Sequence, residues 1–231
     1  MTRHKIKTIF FDVGNTLLFP NRERIHQPLA QRGITADAEH LRDLECRTKN
    51  KFDSMMTNSG STDHGFWWMF YSQLLSELKI VDDPLRDQLV SSIRQSANWD
   101  IIRPGTRERL DEIAGRYELA VISNADGSIE DVLTRCGIAR CFRTITDSGL
   151  VGWEKPHPEI FRLALKSMNA IPQESLYVGD VYSVDYLGAT GAGMQAVLMD
   201  VPGAYRDSGA PSVKDLVELQ LVLEELAAHH G

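Results

Sequence analysis

Four short stretches place reactive side chains at the end of an apolar run or just before a helix. Asp12 ends "TIFF", Ser123-Asn124 ends "ELAVIS", Lys155 lies in "GWEKPHPEIF", and Asp180 ends "SLYVG" with Asp185 five residues on. Three carboxylates brought close repel one another unless a cation sits among them. Oxygen-only ligands select a hard ion, and Mg²⁺ fits because it keeps waters and binds substrate phosphate. Lys155 and Ser123 would then hold the remaining phosphate oxygens. Asp12 would attack phosphorus in line and form an aspartyl-phosphate. The chemistry expected is phosphoryl transfer from a small phosphorylated metabolite to water.

The elements that must bring these residues together are visible as apolar runs. Thr8–Phe11, Leu119–Ser123, Arg143–Thr146, Leu176–Gly179 and Gln195–Met199 read as strands buried on both faces, as in a parallel sheet. Amphipathic helices alternate with the later runs. "GTRERLDEIAGRY" and "GSIEDVLTRCG" close on glycine, and "HPEIFRLALKSMN" carries Pro158 in its first turn. "SVKDLVELQLVLEEL" opens with a capping-box spacing, Ser212 to Asp215. The fold class expected is a doubly wound, Rossmann-like α/β core with a parallel sheet. Its carboxyl edge would collect the four stretches in one crevice.

Residues 19–99 break the alternation. "RERIHQPLAQRG", "DAEHLRDLECRTKNKFDSMM", "FWWMFYSQLLSELK" and "DDPLRDQLVSSIRQ" all read as helix, the last starting at Asp83 before Pro84. Residues 1–18 with 100–231 are therefore expected to form the catalytic core, and 19–99 an inserted helical cap over the crevice. Phe66, Trp67, Trp68, Phe70 and Tyr71 read as the core of that cap, and Trp153 as a pocket wall.

Composition narrows the class further. The 231 residues carry a net charge of -7, which argues against general nucleic-acid binding. Cys46, Cys136 and Cys141 have no metal-type spacing and suit a reducing cytosol. No stretch approaches the ~18 apolar residues of a membrane span, so the expectation is a cytoplasmic protein without nucleic-acid or membrane partners. Monomer and homodimer both fit. "GATGAG", residues 188–193, is not a dinucleotide fingerprint and reads as close helix–sheet packing. His229-His230 reads as a solvated tail.

In order along the chain, "DVGNT", Ser123-Asn124, Lys155 and "GDVYSVD" resemble the four motifs of the haloacid dehalogenase superfamily, in its branch with a helical cap after motif one. The resemblance implies Asp12 as nucleophile, Lys155 and Ser123 with Asn124 as phosphate binders, and Thr16 as orienting motif one. It implies Mg²⁺ held by Asp12, the Gly14 backbone carbonyl, Asp180 and Asp185. It also exposes a departure. Phosphatases of the family carry a second aspartate, the general acid/base, where this chain has Gly14. A positioned acid or base is worth about 10²–10⁴ in rate. Glu154, His157 and His26 are candidates to replace it. Without a replacement, turnover is expected to be slow or restricted to good leaving groups. The competing reading is a non-catalytic member that binds a phosphorylated ligand or a partner. C–halogen cleavage and phosphonate hydrolysis rank lower. The latter needs a cap lysine, and Lys49 and Lys51 read as a solvated helix face.

Overall fold

The computed structural model describes residues 4–59 and 65–228; the His229-His230 tail lies outside the described residues. The chain begins with β1 (Thr8–Phe11) and β2 (Leu18–Phe19). Five helices follow: α1 (Arg22–Ile25), α2 (Gln27–Ala30), α3 (Ala38–Ser59), α4 (Phe66–Glu77) and α5 (Asp83–Ile93). The remainder alternates: β3 (Ile101–Ile102), α6 (Thr106–Ala114), β4 (Glu118–Ser123), α7 (Ile129–Arg135), β5 (Thr144–Asp147), α8 (Ser148–Val151) and α9 (Pro158–Ser167). It ends with β6 (Ser175–Gly179), α10 (Leu187–Gly191), β7 (Gln195–Met199), β8 (Ser212–Val213) and α11 (Leu216–Ala228).

Six strands form one sheet in the order β5-β4-β1-β6-β7-β8, and every pair is parallel. Alternate residues of a strand face opposite sides, and β1 shows the result. Ile9 and Phe11 enter one core with Leu110, Leu133 and Leu219, whereas Phe10 enters the other with Phe161 and Tyr177. Both faces are covered, which explains why β1 reads as unbroken apolar sequence. β1 lies between β4 and β6, so the ends of all three reach one edge together.

The five helices between β2 and β3 build a separate core from residues such as Ile25, Leu44, Phe70, Leu74 and Leu89. β2 and β3 pair antiparallel, with Leu18 opposite Ile102 and Phe19 opposite Ile101, so the helical block leaves and rejoins the sheet domain at adjacent points.

Three local expectations are corrected. "RERIHQPLAQRG" is two short turns broken at His26, where Pro28 prevents continuation of the first. α5 is capped by Asp82, whose carboxylate accepts from the Leu85 N–H, rather than by Asp83. Ser212 does not open a helix. It pairs in β8, and Asp215 caps α11 by accepting from the N–H groups of Val217 and Glu218. An edge strand had used the residues that a capping box would need.

Candidate active site

Asp12 leaves β1 between the ends of β4 and β6 and is 7% exposed. Lys155 reaches it from the loop before α9, donating to Asp12 Oδ1 at 2.6 Å. The same ammonium donates to Asp185 Oδ1 at 2.7 Å and to the Tyr177 hydroxyl at 2.8 Å. Lys155 is held in turn by Asn124. Its N–H donates to Asn124 Oδ1 at 2.7 Å, and Asn124 Nδ2 donates to the Lys155 carbonyl at 3.0 Å. A strand-end amide thus pins the lysine loop to β4. Thr16 donates to Asp12 Oδ2 at 3.4 Å, a long contact.

Asp185 sits in the π-helical turn Tyr182–Tyr186. Its Oδ2 accepts from the N–H groups of Asp180 and Val181 at 3.0 and 2.9 Å. Its Oδ1 takes Lys155 and the Tyr177 hydroxyl. Four donors match the lone-pair capacity of a carboxylate. A Cβ on Gly179 would meet Asp185 Cγ at 2.4 Å, so only glycine lets that carboxylate fold back under the strand end.

Asp180 has a partner that the sequence reading placed elsewhere. Lys49 of α3 is completely buried, and its ammonium donates to Asp180 Oδ2 at 2.7 Å and to the Asp180 carbonyl at 2.8 Å. The expectation of a solvated helix face is corrected for Lys49 and holds for Lys51, which is exposed. Burial pushes Lys49 toward its neutral form, but Asp180 and Glu45 more than offset this and raise its pKa. A lysine held charged in this way is no amine nucleophile, so the structure gives the phosphonate reading no support.

The crevice is a cavity of about 620 Å³. Asp12, Ser123, Asn124, Lys155, Asp180 and Asp185 all line it, together with the Gly14 backbone. The helical block contributes Phe66 and Trp67 to its wall, while Phe70 and Tyr71 are buried behind them. Trp153 does not line it. That ring stacks on His157, centroids 4.2 Å apart, on the outer surface.

Of the three candidates for the missing acid/base, only Glu154 lines the cavity. His157 caps α9 by accepting from the Glu159 N–H. His26 lies 3.3 Å from the Tyr71 hydroxyl inside the helical block, where burial and then Arg22 lower its pKa to about 4. The place beside Gly14 is filled by Trp99: a Cβ there would lie 3.2 Å from its ring. Trp99 donates through Nε1 to the Ile93 carbonyl at 2.6 Å and packs on Trp67 at 5.6 Å.

Charge decides what else fits. Asp12, Asp180 and Asp185 each offer an oxygen within 4.8 Å of the others, and all three are buried. Two ammoniums face them, leaving one excess negative charge in a desolvated place. Burial therefore pushes Asp12 up to about 7, against the pull of Lys155. Burial likewise raises Asp180 despite Lys49. An oxygen-only set with surplus negative charge suits a hard divalent cation. Asp12 and Asp180 each keep one oxygen on a lysine and have a second to offer, whereas the lone pairs of Asp185 are already taken.

The family described as haloacid dehalogenase-like hydrolase matches residues 6–193. The chain belongs to that family. The human haloacid dehalogenase-like hydrolase domain-containing protein 3 is 29% identical over 242 residues, covering 97% of this chain and 92% of the relative. A glyceraldehyde 3-phosphate phosphatase from Methanothermobacter thermautotrophicus is 39% identical over 99 residues, covering 42% of this chain and 44% of the relative. Among solved structures, the magnesium-bound HAD-hydrolase YfnB from Bacillus subtilis superposes with a TM-score of 0.67 at 20% identity, covering 95% of this chain and 99% of the other. The fold of the family is thus the fold of this chain. No helix among the described residues is long and apolar enough to cross a membrane.

Four participants were missed by sequence reasoning: Lys49, Tyr177, Trp99 and Glu45, which accepts from Asn15 Nδ2 at 3.1 Å. Tyr177 left a faint signal as a hydroxyl in an otherwise apolar central strand. The others left none.

Proposed function

We propose that this hydrolase is a Mg²⁺-dependent phosphatase for a small phosphorylated metabolite, acting in the cytoplasm with the helical block as its cap. One observation carries the reading: Asp12, buried and lining the cavity, has one oxygen fixed at 2.6 Å by Lys155, whose ammonium lines the same cavity. The likeness to a glyceraldehyde 3-phosphate phosphatase supports the phosphatase class.

Asp12, Asp180 and the Gly14 carbonyl would hold the cation, with Asp185 bracing the turn. A bound Mg²⁺ would supply neutralising charge to the phosphoryl oxygens. Lys155, Ser123 and Asn124 orient the phosphoryl group. A carboxylate oxygen of Asp12 forms the bond to phosphorus as the bond to the leaving oxygen breaks, giving an aspartyl-phosphate and the leaving group as its oxyanion, which takes its proton from solvent. Water then attacks phosphorus and releases inorganic phosphate and the free carboxylate. The family's second aspartate has no counterpart at Gly14, where the Trp99 ring occupies the space a side chain would take. Phenols and acyl groups depart without protonation; alkoxides do not. The physical consequence is a preference for aryl and acyl phosphates.

The test is turnover of aryl, acyl and alkyl phosphates with and without Mg²⁺, beside the Asp12→Asn variant. The expected result is metal-dependent release of phosphate, lost in the variant, with aryl over alkyl rates differing by about 10² or more. Equal alkyl and aryl rates would show that a protonating group is supplied. Stabilisation by phosphate with no turnover of any ester would assign the chain to the ligand-binding class.

A further inference from the structure

α3 meets the sheet edge through an apolar contact, Phe52 and Met56 on Val184, and through a polar stripe. Glu45, Lys49 and Asp53 recur at a spacing of four, on one helix face, and none is more than 9% exposed. Each reaches a different part of the sheet edge. Glu45 Oε1 accepts from Asn15. Lys49 donates to Asp180. Asp53 accepts from the Ser183 N–H at 2.9 Å and from the Tyr205 hydroxyl at 2.8 Å. Polar groups this deep are retained only with partners, and all three have them across the boundary between the helical block and the sheet.

Lys49 does not line the cavity, so it is not a substrate contact. Its relation to Asp180 repeats that of Lys155 to Asp12: one ammonium fixes one carboxylate oxygen. Two bonds to the same residue, one to Oδ2 and one to the carbonyl, fix the rotamer of Asp180. Glu45 Oε1 stands 3.7 Å behind the ammonium and tempers its charge.

Building on the cation site proposed above, we infer that Lys49 is a positioning residue that sets the divalent-cation affinity from the helical block. It orients Asp180 and places a permanent positive charge on the far side of that carboxylate. A dication that shares Asp180 with a fixed ammonium binds less tightly than one that has the carboxylate to itself. Removing the ammonium therefore tightens cation binding. Removing the negative charge of Glu45 weakens it. A purely structural role for the stripe would move both variants the same way.

The experiment measures Mn²⁺ binding to the purified full chain, by calorimetry and by loss of the free-ion magnetic resonance signal, without any substrate. Lys49→Met is expected to bind Mn²⁺ about tenfold more tightly, a change of about 1.4 kcal/mol. Glu45→Gln keeps the oxygen that receives Asn15 and is expected to bind it about threefold more weakly. An unchanged or weakened affinity in Lys49→Met overturns the inference and leaves the phosphatase reading standing. Should Lys49→Met not fold, Glu45→Gln decides: weaker binding supports the inference, unchanged or tighter binding overturns it. A wild-type chain that takes up no Mn²⁺ or Mg²⁺ overturns both this inference and the cation site on which it rests.

Discussion

Four aspartates stand at carboxyl ends of strands in this sheet, and they fall into two pairs. Asp12 and Asp180, after the central strands β1 and β6, face ammonium groups from distant parts of the chain. Asp147 and Asp200, at the ends of the flanking strands β5 and β7, face backbone. Asp147 accepts from the N–H groups of Gly127, Ile129 and Gly149. Asp200 accepts from those of Gly203, Ala204 and Tyr205. All four are buried. The flanking carboxylates are satisfied by fixed dipoles that cannot be displaced, and they shape loops. The central ones are satisfied by side-chain ammoniums, and burial leaves them short of compensation. Residue type and strand position are shared. What separates the pairs is whether the compensating group is backbone or side chain.

The strongest way to break this comparison is at its centre. Asp12→Asn is expected to lower phosphate-ester turnover by at least about 10³-fold. Its melting temperature should stay within about 3 °C of wild type. A large loss of stability would mean that Asp12 is a structural carboxylate like Asp147. The converse holds on the flank. Asp147→Ala orphans three N–H groups and should cost about 3 kcal/mol in denaturant unfolding, while the rate per folded molecule changes less than about twofold.

A third test concerns a half-buried titratable group that faces no compensating charge. His26 is kept neutral, with its pKa lowered from 6.5 to about 4. The unfolded chain then binds a proton that the folded chain refuses between those values. Stability should be fully present above pH 6.5 and fall as pH drops toward 4, by on the order of 2 kcal/mol. Unfolding of His26→Gln across the same window should show a shallower slope; an unchanged slope would remove His26 as its source.

The smallest effect is expected from adding a carboxylate to the centre. Gly14→Asp presses a Cβ to 3.2 Å from the Trp99 ring. It should cost about 1–2 kcal/mol and give no gain on alkyl phosphates by itself. Combined with Trp99→Leu, which vacates that space, alkyl turnover should rise by about tenfold or more. A gain from Gly14→Asp alone would show that the ring moves aside freely.

The central strands and their terminal carboxylates were legible because burial on both faces leaves an unbroken apolar run, and Asp12 and Asp180 interrupt it. The flanking pair was not distinguished. Asp147 closes β5 much as Asp12 follows β1, and its partners are N–H groups that carry no side-chain signature. Lys49 was unreadable for a different reason. It pairs with Asp180, 131 positions away, and among the polar neighbours of α3 nothing local marks it as buried. Trp99 was missed because a glycine reports that space is available there, not which residue fills it. The capping pattern at Ser212 misled because an edge pairing with β7 outcompeted a local hydrogen bond.

The short ribbon of Leu18–Phe19 against Ile101–Ile102 has an evolutionary reach beyond its four residues. Because the excursion of some eighty residues starts and finishes at neighbouring backbone positions, the sheet domain experiences it as a stitch rather than a chain break. An insertion anchored in this way can be lengthened, shortened or replaced while the register of every central strand stays as it was.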